Sequence, residues 1–357
     1  MTRYKYISYI ILSFAISIIF IWVISYYCSD SPVNYKYDSS LHKYVQQSDT
    51  LIKYRSEGRG NSFIGKYGVN YFSDISKYPQ QKVCIWGNSY VEAFQVNDTE
   101  KIPQVLTAIF AEHNYSNLIA FGVGIAGQSV ANQYFDIPQY EQIIPSITAH
   151  VIIIPSFDDI LPKARIVGDP RAAAFLAEPY RLEPTHWKPT NQDIKYFYNQ
   201  YGIYFLQKPL RDMSNVKMRF SPRIKEKPPQ QQLPVIAEET YKDAWIYLLT
   251  KLRAQTSVPI ILVYCPQVPF IKDGKVNLKD PNRNFIKDFA EIAKLHNIIF
   301  IDVSDRFVES YLKNNSLPRG FSNSRPGSGH FNAMGHSIVA HAIFDFINNK
   351  PDVIHAN

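Results

Sequence analysis

Apolar positions recur with two different periods along this chain, and these periods predict its elements. Short runs rich in Val, Ile and Phe, apolar on both faces, are typical of strands buried in a parallel sheet. Such runs occur at Val83–Trp86, Asn117–Phe121, His150–Pro155, Pro259–Cys265 and Ile298–Val303. Helical patterns occur between and after them, at Ile102–Glu112, Glu239–Gln255, Asn284–His296 and Ala333–Asn348. The pattern predicts a three-layer α/β/α domain with a five-stranded, mainly parallel sheet, of the doubly wound, flavodoxin-like class.

The longest apolar run lies at the N-terminus. No charged residue occurs among the 24 positions between Lys5 and Asp30. At about 1.5 Å per residue, a helix of this length crosses the roughly 30 Å hydrocarbon core of a bilayer. Arg3 and Lys5 precede the run and the next basic residue is Lys36, so the positive-inside rule places the N-terminus in the cytoplasm.

We expect residues 1–29 to form a cytoplasmic stub and a single-pass membrane anchor. The alternative is a cleaved signal peptide, but the small residues that a cleavage site requires are missing from the end of the run. The main domain would then be extracytoplasmic, which means periplasmic in a Gram-negative cell.

Two further segments interrupt the pattern of strands and helices. Residues 30–78 are polar, tyrosine-rich and weakly periodic, and we interpret them as a tether with peripheral structure. Residues 161–237 are rich in proline and end in a charged, Gln-rich stretch that is typical of a linker. We therefore expect one domain over residues 79–357, with an insertion at about 161–237.

Composition excludes several classes of protein. Apolar and aromatic residues make up 46% of the 357 residues, which is enough for a buried core and too much for a disordered chain. Three cysteines cannot build a disulfide framework or a four-thiolate zinc site. The net charge of +7 is spread thinly, so we expect no nucleic-acid partner. We also expect no metal and no cofactor, because His330, His336 and His341 are not spaced to place a ligand pair on one helical face.

Polar loops follow the predicted strands, at the edge where open parallel sheets form their sites. A serine hydroxyl lies in the turn Gly87-Asn88-Ser89 after the first strand, and glycines follow the second strand at Gly124–Gly127. Asp158 follows the third strand, and His330 precedes the C-terminal helix. These loops supply a nucleophile, amide donors, a carboxylate and a base, which are the groups that acyl transfer needs.

These four blocks, in this order, resemble those of the SGNH, or GDSL-like, hydrolase superfamily. The resemblance covers residues 82 to about 348, apart from the insertion. It implies that Ser89 is the nucleophile and His330 its base. It also implies that the N–H groups of Ser89 and Gly127 bind the oxyanion.

Three positions depart from the pattern of the family. Asn88 replaces the aspartate beside the nucleophile, a change that preserves size and hydrogen bonding. Asp158 replaces an asparagine that donates to the oxyanion, and it could do the same only if it were protonated in a dry site. Gly327 replaces the aspartate three residues before the histidine. Asp302 or Asp305 would then orient His330, and the alternatives are a backbone carbonyl or a Ser-His dyad without a carboxylate.

The resemblance implies a membrane-anchored serine esterase or deacetylase that acts on O-acyl groups of a cell-envelope or surface polysaccharide. Two alternatives stay open at this point. One is a polysaccharide O-acetyltransferase, which would depend on a membrane protein that supplies acyl groups. The other is a catalytically weakened domain that serves in glycan binding or assembly. A long distance between the Ser89 hydroxyl and the His330 ring would exclude both catalytic hypotheses.

Overall fold

The computed structural model describes residues 3–162, 170–177, 179–190 and 238–355. The chain divides into a smaller unit, residues 1–34 with 189–235, and a larger unit, residues 35–188 with 236–357. In the described part of the smaller unit, the apolar N-terminal run forms one helix, α1 (Arg3–Cys28). Its length and composition are sufficient to cross a membrane.

The larger unit contains the remaining described elements. The strands are β1 (Tyr35–Asp38), β2 (Lys43–Gln46), β3 (Thr50–Lys53), β4 (Asn61–Ile64), β5 (Gln81–Gly87), β6 (Leu118–Gly124), β7 (Ile147–Ile154), β8 (Ala174–Ala177), β9 (Tyr180–Glu183), β10 (Ile260–Tyr264), β11 (Phe270–Lys272), β12 (Lys275–Asn277) and β13 (Ile299–Asp302). The helices are α2 (Ser89–Glu92), α3 (Ile102–Glu112), α4 (Val130–Ile143), α5 (Glu238–Arg253), α6 (Arg283–Leu295), α7 (Ser304–Asn314), α8 (Ala333–Asn349) and α9 (Asp352–His355).

Five of these strands form the central sheet, and all of them run parallel. Their order is β13-β10-β7-β5-β6. This order, with the first strand between the second and the third, is that of a flavodoxin-like doubly wound sheet. The five strands and four helices predicted from the sequence are all present, with small shifts at their ends.

Side chains of the sheet alternate between two apolar clusters, one on each face. In β5, Cys84 and Trp86 belong to one cluster, while Val83 and Ile85 belong to the other. Helices α4, α5 and α6 contribute to the first cluster, and α3, α7 and α8 contribute to the second. The predicted three-layer fold class is therefore confirmed.

The segment interpreted from the sequence as a tether belongs to this domain from Tyr35 onward. It forms the antiparallel hairpins β1–β2 and β3–β4, and Leu41, Val45 and Ile75 are buried in the same cluster as Trp86. The Asn70 side chain lies in the buried interior and donates to the carbonyls of two residues in α2. Strands of four residues are too short to show an alternation of apolar and polar positions in the sequence, so the sequence analysis did not identify these hairpins.

The expected insertion at about 161–237 lies largely outside the described residues. Its described parts include the hairpin β8–β9, in which Phe175 is buried in the cluster on the α4 face of the sheet. This hairpin packs against the domain through apolar side chains, as the rest of the core does.

Candidate active site

The turn that carries Ser89 is fixed by the packing of β5 against α2. The Asn88 side chain accepts a hydrogen bond from the Tyr90 N–H at 3.1 Å and caps the short helix. Ser89 is its first residue, so the Ser89 N–H has no acceptor within the helix. Gly87 allows the close approach, because a Cβ at that position would lie 2.6 Å from Val91 Cγ2.

Ser89 and His330, predicted from the sequence as a pair, lie within hydrogen-bond distance. The Ser89 Oγ is 2.9 Å from His330 Nε2. His330 lies in the loop between α7 and α8, and its side chain is 24% exposed. The pair is therefore assembled and still open to a substrate, and the condition that would exclude the catalytic hypotheses is not met.

The other nitrogen of the His330 ring contacts a carboxylate that the sequence analysis did not select. His330 Nδ1 lies 2.6 Å from Glu57 Oε2, and the backbone N–H of His330 donates to Glu57 Oε1 at 3.1 Å. Glu57 lies in the loop between β3 and β4. A carboxylate, a histidine and a serine thus form one continuous chain of hydrogen bonds.

Asp302 and Asp305, the two carboxylates expected to orient His330, are engaged elsewhere. Asp302 Oδ1 accepts a hydrogen bond from the Ser304 N–H at 2.8 Å, at the beginning of α7. Asp305 pairs with Arg283 at 3.6 Å. The expectation for both residues is wrong. Asp302 caps the beginning of α7, Asp305 forms an exposed ion pair on α7, and His330 Nδ1 contacts Glu57 instead.

Hydrogen bonds join the loop that carries Glu57 to the loop that carries His330. Gly58 has a φ of 68°, and its N–H donates to Asn323 Oδ1 at 2.8 Å. Asn323 Nδ2 donates in return to the carbonyls of Arg55 and Gly58. A Cβ at Gly329 would lie 2.2 Å from Glu57 Oε1, so only glycine admits the carboxylate there.

The hydrogen bonds from His330 also set the charge of Glu57. Partial burial raises the pKa of the Glu57 carboxyl, but the side-chain and backbone hydrogen bonds from His330 outweigh burial. The pKa of Glu57 is therefore below its usual value. The group is therefore ionised at neutral pH.

The glycine loop after β6 presents a backbone N–H at the same edge of the sheet. Gly127 has a φ of 84°, a conformation that favours glycine. Within the described residues, its N–H has no protein acceptor. Gly124 allows α2 to pack closely, because a Cβ there would lie 2.2 Å from the Glu92 backbone nitrogen.

The buried carboxyl group of Glu92 contacts this loop. Glu92 Oε1 accepts a hydrogen bond from Gln46 Nε2 at 2.5 Å, which joins α2 to β2. Burial raises the pKa of the Glu92 carboxyl to about 7, against a hydrogen bond from the Ala126 backbone that lowers it. The Glu92 carboxyl therefore titrates near neutral pH. Within the described part of the chain, no hydrogen bond joins it to Ser89 or His330.

Asp158 is not positioned as the sequence expectation required. Its side chain is exposed, and its N–H donates to Ser156 Oγ at 3.2 Å at the beginning of a short 3₁₀ helix. No hydrogen bond joins it to Ser89, Gly127 or His330 among the described residues. The buried position beside Ser89 that the sequence expectation required is therefore missing.

Tyr90 and Arg319 join the serine turn to the histidine loop. Arg319 is 1% exposed and donates to the Tyr90 hydroxyl at 2.6 Å, and Tyr90 donates to the Gly329 carbonyl at 2.9 Å. The Tyr90 and His330 rings lie 4.9 Å apart. Burial raises the pKa of Tyr90 although the charge of Arg319 opposes it, so the phenol stays neutral and keeps both hydrogen bonds.

Neither Glu57 nor Arg319 was found from the sequence. The signal for Glu57 was indirect: Gly327 in place of the family's aspartate left a carboxylate from elsewhere as one of the alternatives, and Glu57 precedes two nearby glycines, Gly58 and Gly60. For Arg319 the sequence offered no signal that distinguishes it from a surface arginine.

No protein-family model matches the sequence, and no curated protein matches it. The chain is similar to solved esterase structures. For an acetyl xylan esterase, AlAXEase, the identity is 13%, the coverage is 74% of this chain and 99% of that chain, and the TM-score is 0.39. For the psychrotrophic esterase EstA from Pseudoalteromonas sp., the identity is 11%, the coverage is 76% of this chain and 100% of that chain, and the TM-score is 0.36.

A third similar structure is a two-domain esterase, CEX, active on acetylated mannans. The identity is 11%, the coverage is 77% of this chain and 50% of that chain, and the TM-score is 0.38. At these identities and TM-scores, the similarities assign neither a substrate nor a catalytic residue to this chain.

Proposed function

We propose that this chain is a serine ester hydrolase of the SGNH type, with Ser89, His330 and Glu57 as its catalytic triad. The observation that carries the proposal is the continuous chain of hydrogen bonds, 2.9 Å from Ser89 Oγ to His330 Nε2 and 2.6 Å from His330 Nδ1 to Glu57 Oε2. This is the arrangement of nucleophile, base and orienting carboxylate that acyl transfer uses on unrelated folds.

In the proposed reaction, Ser89 Oγ attacks the ester carbonyl while its proton passes to His330 Nε2. The ionised Glu57 stabilises the resulting imidazolium and holds Nδ1 as a donor. His330 then gives the proton to the leaving alcohol, and an acyl group remains on Ser89. Water, deprotonated by the same histidine, attacks this acyl-enzyme, and the acid and free serine are released.

The oxyanion of each tetrahedral intermediate needs donors that are already in place. We assign this role to the N–H groups of Ser89 and Gly127, which lie at the carboxyl ends of the neighbouring strands β5 and β6. Asp158 has no part in it, because an exposed carboxylate would repel the developing charge. A missing donor of this kind costs on the order of 10²-fold to 10³-fold in rate.

We further propose that the substrate is an O-acyl group on a cell-envelope or surface polysaccharide, and that α1 anchors the enzyme. The partial exposure of His330 supports a bulky, polymeric substrate, because the ester need not enter a closed cavity. Arg3 and Lys5, at the N-terminal end of α1, support an extracytoplasmic position for the larger unit. A complete triad speaks against a catalytically weakened domain.

The test is hydrolysis of an aryl acetate by the full-length protein in detergent micelles, compared with Ser89→Ala. We expect that substitution to lower kcat by about 10⁴-fold or more. The control is Ser322→Ala, an exposed serine that should leave the rate unchanged. Covalent labelling by a fluorophosphonate should also depend on Ser89.

Equal background rates in wild type and Ser89→Ala, together with absence of labelling, would contradict the proposal. Retained labelling without release of acetate to water would instead point to a transferase. Adding an oligosaccharide acceptor and measuring its acetylation would then distinguish the two activities, which share the same residues.

A further inference from the structure

A pocket of about 480 Å³ lies at the carboxyl ends of the neighbouring strands β7 and β10. We call it the strand-end pocket. Tyr90 and Arg319, which join the serine turn to the histidine loop, both line it. Because Tyr90 directly follows Ser89 in the chain, the pocket adjoins the turn that carries the nucleophile. All its described lining residues belong to the larger unit.

Two phenylalanines line the strand-end pocket from different elements. Phe270 is half-buried on β11, and Phe157 is half-buried in the short 3₁₀ helix after β7. The Phe157 ring lies 5.6 Å from the ring of Phe285 and 6.1 Å from that of Trp245, so neighbouring rings hold it in place. The two half-exposed rings offer an apolar surface to the C–H groups of a ligand.

A carboxylate with a fixed orientation also lines the strand-end pocket. The Tyr264 hydroxyl donates to Asp280 Oδ2 at 2.8 Å, and the Asn282 N–H donates to Asp280 Oδ1 at 3.0 Å. Burial raises the pKa of Tyr264, so its phenol keeps the proton that it donates. These bonds hold the Asp280 carboxylate in one position before a ligand arrives.

The Asp280 carboxylate keeps capacity for two further hydrogen bonds. Each carboxylate oxygen can accept about two hydrogen bonds, and within the described part of the chain each oxygen accepts one. The side chain is only half-buried, so the remaining positions are open to a ligand. Two acceptors on adjacent atoms suit two hydroxyl groups on adjacent carbons, which is the arrangement that a sugar ring presents.

The charges around the strand-end pocket favour a neutral ligand. Asp280 and Arg319 are the only charged residues among its described lining residues, and their charges are opposite. The Arg319 guanidinium is 1% exposed and donates to the Tyr90 hydroxyl and to the carbonyls of Pro155 and Cys265. An anionic ligand would therefore meet the carboxylate of Asp280 without an accessible cation to offset the repulsion.

We propose that the strand-end pocket binds a neutral sugar residue of the polymer whose ester reaches Ser89. Asp280 accepts hydrogen bonds from two neighbouring hydroxyl groups of this residue, and Phe270 contacts the C–H groups of its ring. The position beside the serine turn connects this subsite to catalysis, and to that extent the inference rests on the proposed function. Binding itself does not require an active Ser89.

The experiment therefore measures binding by calorimetry in the full-length Ser89→Ala protein, in micelles of a detergent without a sugar headgroup. Xylo-, manno- and cello-oligosaccharides are titrated, each against its fully O-methylated form, which keeps the ring and removes the hydroxyl donors. An oligogalacturonate serves as the acidic ligand.

We expect at least one neutral oligosaccharide to bind about tenfold more tightly than its methylated form and than the oligogalacturonate, because hydrogen bonds to a charged acceptor are the strong ones. Phe270→Ala and Asp280→Asn should each weaken its binding by about tenfold. Val276→Ala and Asp273→Asn are the matched controls, because both residues lie on the same hairpin as Phe270, are exposed and do not line the pocket. They should leave the affinity unchanged.

Four results would overturn the inference: no binding of any neutral oligosaccharide, equal binding of the methylated form, equal or tighter binding of the oligogalacturonate, or an affinity that neither pocket variant changes. Failure of the proposed function is seen separately. It appears as aryl acetate hydrolysis that does not depend on Ser89, which leaves the binding result standing. Conversely, Ser89-dependent hydrolysis without binding of a neutral oligosaccharide removes the pocket assignment alone.

Discussion

The two regions that meet at His330 differ in how they hold their functional groups. The edge of the central sheet positions Ser89 and Gly127 through the seven-residue strands β5 and β6, which are almost entirely buried and are bonded to each other along their whole length. The hairpin β3–β4 positions Glu57 through four-residue strands and a loop fastened by a few side-chain contacts. The comparison teaches that the position of Ser89 is a product of the fold, whereas the position of Glu57 depends on local contacts between two loops.

This difference can be tested first by removing the charge of Glu57. With Glu57→Gln we expect kcat for an aryl acetate to fall by about 10²-fold to 10⁴-fold, because an amide does not stabilise the imidazolium and can hold the wrong tautomer. Circular dichroism and the melting temperature should stay close to those of the wild type. Asp302→Asn and Asp305→Asn are the controls, and a loss in either that matches Glu57→Gln would contradict the assignment.

A smaller effect is expected from loosening the loop without touching its carboxylate. Asn323→Ala removes the hydrogen bonds to the Gly58 N–H and to the carbonyls of Arg55 and Gly58. We expect kcat to fall by about tenfold and KM to change little, with a loss in the free energy of unfolding of roughly 1–3 kcal/mol. The neighbouring Ser322→Ala is the control. An unchanged kcat would show that the loop is held by other contacts.

The smallest effect concerns stability on the sheet side, at Glu92. Its pKa in the folded protein, about 7, lies above the ordinary value of 4.5, so the folded state keeps a proton that the unfolded chain releases between these values. The contribution of Glu92 to stability should therefore fall as pH rises from about 4.5 to about 7, while the buried histidines His150 and His336, whose pKa values burial lowers, contribute in the opposite direction.

Glu92→Gln should remove the contribution of Glu92 alone. The variant would then be more stable than the wild type at pH 8, by an amount on the order of 3 kcal/mol or less, and similar to it at pH 4. Denaturant unfolding at both pH values measures the difference. Glu291→Gln, an exposed position on α6, is the control. A stability difference between wild type and Glu92→Gln that is the same at both pH values would contradict the raised pKa of Glu92.

The same contrast explains what the sequence could predict. The sheet was predictable because strands such as Ile147–Ile154 are mostly apolar and buried at every position, and because loops that follow parallel strands meet at one edge. Ser89 and His330 are recognisable because they occupy such loops. The fold class and the position of Ser89 and His330 can be predicted because they depend on short sequence patterns, the apolar runs of the strands and the polar loops that follow them.

Glu57 could not be found in this way. It lies 273 residues from His330, between strands too short to give a period, and it replaces an aspartate whose usual position holds Gly327. Asp158 illustrates the opposite error, because its place in a motif suggested a role that its exposure does not support. Position in a motif indicates where a residue lies along the chain, while contacts of distant side chains decide what it does.

The separation of Glu57 from His330 has a consequence for the newly made chain. The ribosome produces Glu57 and Ser89 early and His330 close to the end, so the residue that joins the other two arrives last. A chain that is still being synthesised, or one that has lost its C-terminal region, holds a serine and a carboxylate without the base between them. Such a chain can fold in part, as growing domains do, and under the proposed mechanism it would have no hydrolytic activity until His330 is in place.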